Sequence, residues 1–363
     1  MFFAGLLWSQ SPLPPGARRS AAEQPSTPKW QKEIEEATSH DFFAGAVLVA
    51  RNGQAVFRKA YGLADREKRL PNLPDTKFRI ASMNKMFTAV AIAQLAQRGK
   101  LRFSDPVKKH VRDLADQPAG SVTVEQLLTH TAGTGDIFGP EFNLHRSELK
   151  RLSDYVVLFG RRPLMFPPGS KFRYSNYGFI LLGLIVERVS GQSYYDYIRE
   201  QIFDSAGMKS TDSPPEDKTP PDIAVGYTRT GGGALRRNTD TLPPRGTSAG
   251  GGYSTVDDLL RFGEALLNHR LLDRFYTDQV TQGRVVAAAG PGIRYGYGFF
   301  VKESNNRNPS AASWFGHGGG APGMNGELRI YPRSGYVVAI LANSDPSMAA
   351  QIAVHIGETL PAR

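Results

Sequence analysis

Apolar positions along this chain change their spacing twice, from strand-like to helical and back. From Ala44, "AGAVLVARNGQAVFRKAYG" carries two apolar runs on either side of Asn52-Gly53. Asn-Gly readily takes the positive backbone angles of a tight turn, so the stretch predicts a β-hairpin. "RIASMNKMFTAVAIAQLA", from Arg79 to Ala96, reads as an apolar helix. Residues 105 to about 245 are mostly helix and loop: "TVEQLL", "SELKRLSDYVVLF", "NYGFILLGLIVERVSG" and "SYYDYIREQIF" carry helical spacing. Residues 213 to 252 are rich in Pro and Gly and predict an extended loop. "STVDDLLRFGEALLNH" opens on Ser254, Thr255 and Asp257, a helix start. "YGYGFFVKES", "AASWFGHGGG", "GELRIYP" and "GYVVAILANS" then return to short β-rich runs, and "PSMAAQIAVHIGETL" closes as a helix.

Strands at both ends with helices between them predict an α+β fold: one antiparallel β-sheet built from both ends of the chain, flanked by helices, with a mainly helical inserted domain. The boundaries expected are a disordered arm or remnant signal over 1–29, a discontinuous α/β sheet domain from 30–105 plus 246–363, and a mainly helical domain over 106–245. Residues 10 to 28 are Pro/Ser-rich and read as a linker. The opening "MFFAGLLWSQSPLPPGARRS" has a short apolar run with no basic residue before it, which makes a poor secretory signal.

Composition narrows the function classes. The 363 residues, 40% hydrophobic, are ample for a sizeable core. With no cysteine, disulfides, a thiol nucleophile, cysteine-ligated zinc and a lipidated cysteine are excluded. The net charge is +10, but the basic residues are scattered in short clusters such as Lys108-Lys109, Arg161-Arg162 and Arg236-Arg237. No aromatic-interleaved basic stripe exists, so nucleic acid is not the expected partner. No run approaches the ~20 apolar residues of a membrane helix; "FILLGLIVERV" is short and carries Glu187 and Arg188.

The candidate chemistry starts inside the apolar helix. Ser-x-x-Lys occurs three times, and only Ser82 and Lys85 open a strongly apolar helix. Ser26 to Lys29 lies in the Pro/Ser-rich tail, and Ser147 to Lys150 in a polar stretch where capping suffices. A lysine partly buried at a helix start loses its proton more easily and can activate a hydroxyl one turn away. Further on, "PPGSKFRYSNYGF" holds the chain's one Tyr-x-Asn, Tyr174 and Asn176. Here Asn176 reads equally as an N-cap, and Tyr174 as a core aromatic. In "WFGHGGGAPGMNGELRIYP", four glycines crowd around His317 where a strand should run. Glycine weakens a strand unless a ligand or another backbone must come close. In "QLLTHTAGTGD", His130 and Thr131 read as a helix end with its cap at Gly133.

Taken in order, Ser82-Met83-Asn84-Lys85, Tyr174-Ser175-Asn176 and His317-Gly318-Gly319 give the chain a recognisable arrangement. It resembles the serine β-lactamase and penicillin-binding-protein superfamily, in particular the class C-like branch of β-lactamases, D-Ala-D-Ala carboxypeptidases, D-aminopeptidases and esterases. The separations, roughly ninety and then roughly a hundred and forty residues, fit, as do "LLTHTAG" and "SAGGGYSTVDDLLRF". The resemblance implies a serine hydrolase forming an acyl-enzyme on Ser82, with Lys85 and Tyr174 as its catalytic partners. Which of the two is the base stays open. It also implies backbone N–H groups of Ser82 and Gly320 as an oxyanion hole, and Asn176, His317, Gly318 and Gly319 as substrate-binding residues. No metal or cofactor is expected. The substrate is a small-molecule or peptide acyl donor: an ester, a D-amino-acid peptide or a β-lactam. His317 stands where class C β-lactamases usually carry lysine, which favours the peptidase and esterase branches. Gly318 and Gly319 suggest an open floor to the pocket. The resemblance points to the periplasm or secretion, while the weak leader leaves the cytoplasm open, and the oligomeric state is unspecified. The alternatives are a catalytically inactive peptidoglycan- or peptide-binding protein on the same fold and, more remotely, a basic surface-binding protein.

Overall fold

Asn52 and Gly53 take φ of 49° and 77°, the paired positive angles of a two-residue hairpin turn. They join β1 (Gly45–Arg51) to β2 (Gln54–Tyr61), as the sequence predicts. The structure is a computed structural model that describes residues 28–287, 290, 292–303 and 313–361. Residues 1–27, most of the expected N-terminal arm, lie outside the described residues, as do Asn305–Asn308 and their neighbours between 304 and 312.

The hairpin forms one end of a sheet whose other strands come from the C-terminal part. These are β3 (Val285–Val286), β4 (Ile293–Tyr295), β5 (Phe300–Lys302), β6 (Trp314–Ala321), β7 (Met324–Tyr331) and β8 (Tyr336–Ala342). Among the described residues the order is β2-β1-β8-β7-β6-β5-β4-β3, and every pairing is antiparallel. β1 pairs with β8 from Gly45 opposite Ala342 to Arg51 opposite Tyr336, so the two ends of the chain meet inside the sheet.

Both faces of β1 are buried, which accounts for its unbroken apolar run. Val47 and Val49 face α1 (Lys29–Ser39) and the last helix, in a cluster with Trp30, Ile34, Ile352 and Ile356. Ala46, Leu48 and Ala50 face the other way, into the larger core. α1 is a departure from the sequence reading, which placed no helix there. Its buried Trp30, Ile34 and Ala37 follow helical spacing, but the helix is 11 residues long and directly follows the Pro-rich segment.

The larger core is organised by α2 (Asn84–Gln97), buried on every side from Asn84 to Ala96. A helix apolar all round must be enclosed. The same core takes in α3 (Val124–Leu128), α4 (Leu152–Phe159), α5 (Asn176–Ser190), α6 (Tyr194–Ile198) and α7 (Val256–Leu267), and α8 (Met348–Thr359) is the last helix. Several run shorter than their periodicity suggests. The Ser147-Lys150 stretch begins as a separate turn, Arg146–Glu148, before α4. α3 stops at Leu128, well before Gly133, so His130 and Thr131 do not end a helix. The expected extended loop over 213–252 contains a small hairpin, Tyr227–Arg229 with Leu235–Arg237.

Candidate active site

Ser82 does not cap a helix. Ala81–Met83 form a single tight turn ahead of α2, and no side chain makes a capping bond there. Ala81 holds φ of 46°, a left-handed angle that costs a residue with a Cβ about 1–3 kcal/mol. The facing loop secures it: Gly251 N–H donates to Ala81 O at 3.1 Å and Ile80 N–H to Gly252 O at 3.2 Å. The serine is thereby presented on a fixed elbow.

One turn on, Lys85 is 0% exposed. The sequence suggested partial burial; the enclosure of α2 makes it complete. Its Nζ donates to Asn176 Oδ1 at 2.7 Å and to the Ala249 carbonyl, and lies 3.4 Å from Ser82 Oγ. Burial pulls its pKa down to about 7, with the Asp136 carboxylate opposing. As placed, the amine donates to three acceptors, Asn176, Ala249 and Ser82; once neutral it keeps two hydrogens for Asn176 and Ala249 and can turn its lone pair to Ser82 Oγ–H.

Tyr174 and Asn176 lead into α5. The cap of that helix is Ser175, whose Oγ accepts from Gly178 N–H at 2.9 Å. The reading of Asn176 as a plain cap is therefore set aside, because its side chain bridges two other groups. Nδ2 donates to Asp136 Oδ1 and Oδ2 at 3.0 and 3.1 Å. With its nitrogen end held by a carboxylate, the amide can only turn its oxygen to Lys85. The Tyr174 hydroxyl is hydrogen-bonded with Ser82, and burial pushes its pKa well above the usual phenol value. Its ring lies 4.6 Å from Lys85 Nζ.

Two residues near this site carry no chemical role in the sequence pattern. Asp136 closes "QLLTHTAGTGD", and nothing in local spacing ties it to Asn176, forty positions on. His130, at φ 57°, turns its ring against Tyr174 with centroids 4.3 Å apart. Its Nδ1 accepts from Ser175 N–H at 3.1 Å. Burial, reinforced by Lys85, drives its pKa well below the ordinary imidazole range, so the ring is neutral.

The third motif lies on β6, and it is placed differently from expectation. β5 pairs with β6 only at Trp314, Phe315 and Gly316. His317 is 2% exposed. Its Nδ1–H donates to Gly318 O, and its Nε2 accepts from Tyr295 O–H at 3.1 Å. Burial, with Lys85 adding, depresses its pKa to about 3, so it carries no charge at neutral pH. A Cβ at Gly319 would meet Ile80 O at 2.1 Å; one at Gly318 would meet Glu327 Oε2 at 2.6 Å. Gly319 is closed against backbone, which corrects the expectation of an open floor there, while Gly318 is half-buried beside the Glu327 carboxylate.

A cleft of about 460 Å³ opens beside the serine. Ser82, Asn176 and Gly320 line it, with Thr247 and Ala249–Gly251 on one wall and Ile137, Phe138 and Phe142 on another. The structure thus brings Ser82, Lys85, Tyr174 and Asn176 together and sets Gly320 on the same cleft as Ser82. His317, Gly318 and Gly319 do not line it. His317 and Gly319 are two apart on a strand, so both face the α2 side.

A cleft serine hydrogen-bonded to a half-buried phenol, with a depressed lysine one turn away, defines a serine hydrolase kind of site. The chain belongs to the Beta-lactamase family, whose model matches residues 30–359. A putative penicillin-binding protein of Bacillus subtilis (strain 168), PbpX, is 31% identical over 333 residues, covering 89% of this chain and 76% of that protein. The crystal structure of a penicillin binding protein from Bacillus halodurans superposes with a TM-score of 0.81 at 34% identity, covering 91% of this chain and 99% of that one. A D-stereospecific amidohydrolase from Streptomyces sp. superposes with a TM-score of 0.76 at 25% identity, covering 91% and 98%. Some curated relatives are longer: the chain spans 66% of one and 41% of another. No helix among the described residues is long and apolar enough to cross a membrane.

Proposed function

We propose that the protein hydrolyses esters or D-amino-acid peptide amides through an acyl-enzyme on Ser82. The observation that carries this reading is the Lys85 amine, fully buried, 3.4 Å from Ser82 Oγ, with Asn176 and Ala249 occupying its other hydrogens. Environments that push two titratable groups apart assign acid and base roles. Lys85, depressed to about 7, serves as the base that takes the serine proton, and Tyr174, held protonated, serves as the donor to the leaving group. Backbone N–H groups of Ser82 and Gly320 receive the oxyanion, and water then releases the acid. The D-stereospecific amidohydrolase among the solved neighbours supports the amide branch. A neutral, inward-facing His317 offers no cation for the carboxylate of a β-lactam, which disfavours efficient antibiotic hydrolysis.

A fluorophosphonate probe is expected to label the wild type at Ser82, read by peptide mass, and to leave Ser82→Ala unlabelled, while the wild type turns over p-nitrophenyl butyrate or D-Ala-p-nitroanilide. A wild type that takes no label and releases no product is a binding protein instead.

The pH profile follows from Lys85. A protonated amine has no lone pair for the serine proton, so kcat/KM falls as pH drops below about 7, by about tenfold per unit at the acid extreme. Asp136 holds that pKa up. In Asp136→Asn the midpoint therefore moves to lower pH; a midpoint that stays put or rises contradicts the assignment of Lys85 as base.

A further inference from the structure

The cleft beside Ser82 has a single charged side chain among its described lining residues, Arg146. It stands in the short turn Arg146–Glu148 between the helix Pro140–His145 and α4. Among the described residues its guanidinium makes no ion pair and no hydrogen bond. The nearby acids are already taken. Glu148 pairs with His145 at 3.2 Å, Glu141 with Arg162, and Asp240, which feels the charge of Arg146, with Arg236 at 2.8 Å. The wall around Arg146 is apolar: Phe138, 65% exposed, packs edge-on against Phe142 with centroids 5.2 Å apart. A free guanidinium over a largely apolar cleft is an anion receptor, and its planar fork fits a carboxylate with two parallel bonds.

We infer that Arg146 is a specificity residue that binds a carboxylate carried by the acyl half of the substrate. The inference rests on the Ser82 hydrolase reading. It assigns the acyl half for a geometric reason. The leaving group must receive its proton from the Tyr174 side of Ser82, and Tyr174 does not line this cleft. The cleft is therefore left to the group that stays attached to the serine. The substrate class is an acyl donor with an apolar stem and an anionic end. His317, buried and uncharged, leaves that recognition to Arg146.

The test compares p-nitrophenyl monoesters of succinic, glutaric and adipic acid with uncharged p-nitrophenyl esters of matched length, in wild type, Arg146→Ala, Arg146→Lys and Arg146→Glu. At least one anionic ester is expected to exceed its uncharged match in kcat/KM in the wild type. In Arg146→Ala that ratio should fall roughly tenfold or more, the worth of a charged hydrogen-bond pair. Arg146→Lys should keep part of it, and Arg146→Glu should invert it. A ratio that is the same in all four proteins, with Ser82 still labelled by fluorophosphonate, overturns the role of Arg146 and leaves the hydrolase intact. Failure of the wild type both to label and to cleave either series removes the hydrolase reading, and this inference with it.

Discussion

Lys85→Met lowers kcat/KM for p-nitrophenyl esters by about 10²–10⁴-fold, the range of a lost general base. The substitution keeps the length and apolar stem of the side chain, so α2 stays packed, and a thermal melt checks this. It removes the amine assigned as the base for the Ser82 proton, and leaves the Tyr174 hydroxyl in place. Tyr174→Phe should behave differently. p-Nitrophenolate leaves without a proton, so the ester suffers little, whereas D-Ala-p-nitroanilide, whose amine must be protonated, loses most of its rate. The contrast separates the two roles that the sequence left together. Were Tyr174 the base, Tyr174→Phe would cripple both substrates alike and Lys85→Met would be the milder change.

Gly319→Ala is expected to damage both stability and activity, because the methyl it adds strikes the turn that carries Ser82. The added Cβ would lie 2.1 Å from Ile80 O and 3.0 Å from Met83 Cγ. The first contact is backbone, so the turn carrying Ser82 must move away from β6. Overpacking of this kind costs about 1–3 kcal/mol, at times more, and a displacement of order 1 Å at the nucleophile can cost about 10²-fold in rate. Gly320→Ala meets only the Pro346 ring, at 2.9 Å from its Cγ, and should destabilise less. Denaturant melts and ester kinetics on the two variants decide it. Equal midpoints and equal rates for Gly319→Ala and wild type would remove the claim that this glycine exists for close backbone approach.

Much of the fold was legible because its signals are local. Asn52-Gly53 fixes a hairpin through its own backbone preferences. Thr123 and Gln126 form a reciprocal cap on α3 within four residues. Thr255 caps α7 by accepting from Asp258 N–H. The motif residues Ser82, Lys85, Tyr174 and Asn176 were legible as residue types in order. α1 is not legible in the sequence, because its three apolar contacts sit on a short helix next to a Pro-rich segment. The glycines around His317 signal a close approach, by a ligand or by another backbone; at Gly316 and Gly319 it is neighbouring backbone, while Gly320 lines the cleft.

By itself the sequence determined the antiparallel sheet with its helices and the identities of the groups that meet at Ser82, since periodicity, turn chemistry and motif order are properties of short segments. Only the tertiary structure decided the state of those groups. The complete burial that brings Lys85 to about 7, the Asp136 carboxylate that turns the Asn176 amide, the inward, uncharged His317 and the unpaired Arg146 in the cleft are set by segments far apart in the chain. Desolvation and field at an atom depend on everything packed around it, and no local pattern carries that information.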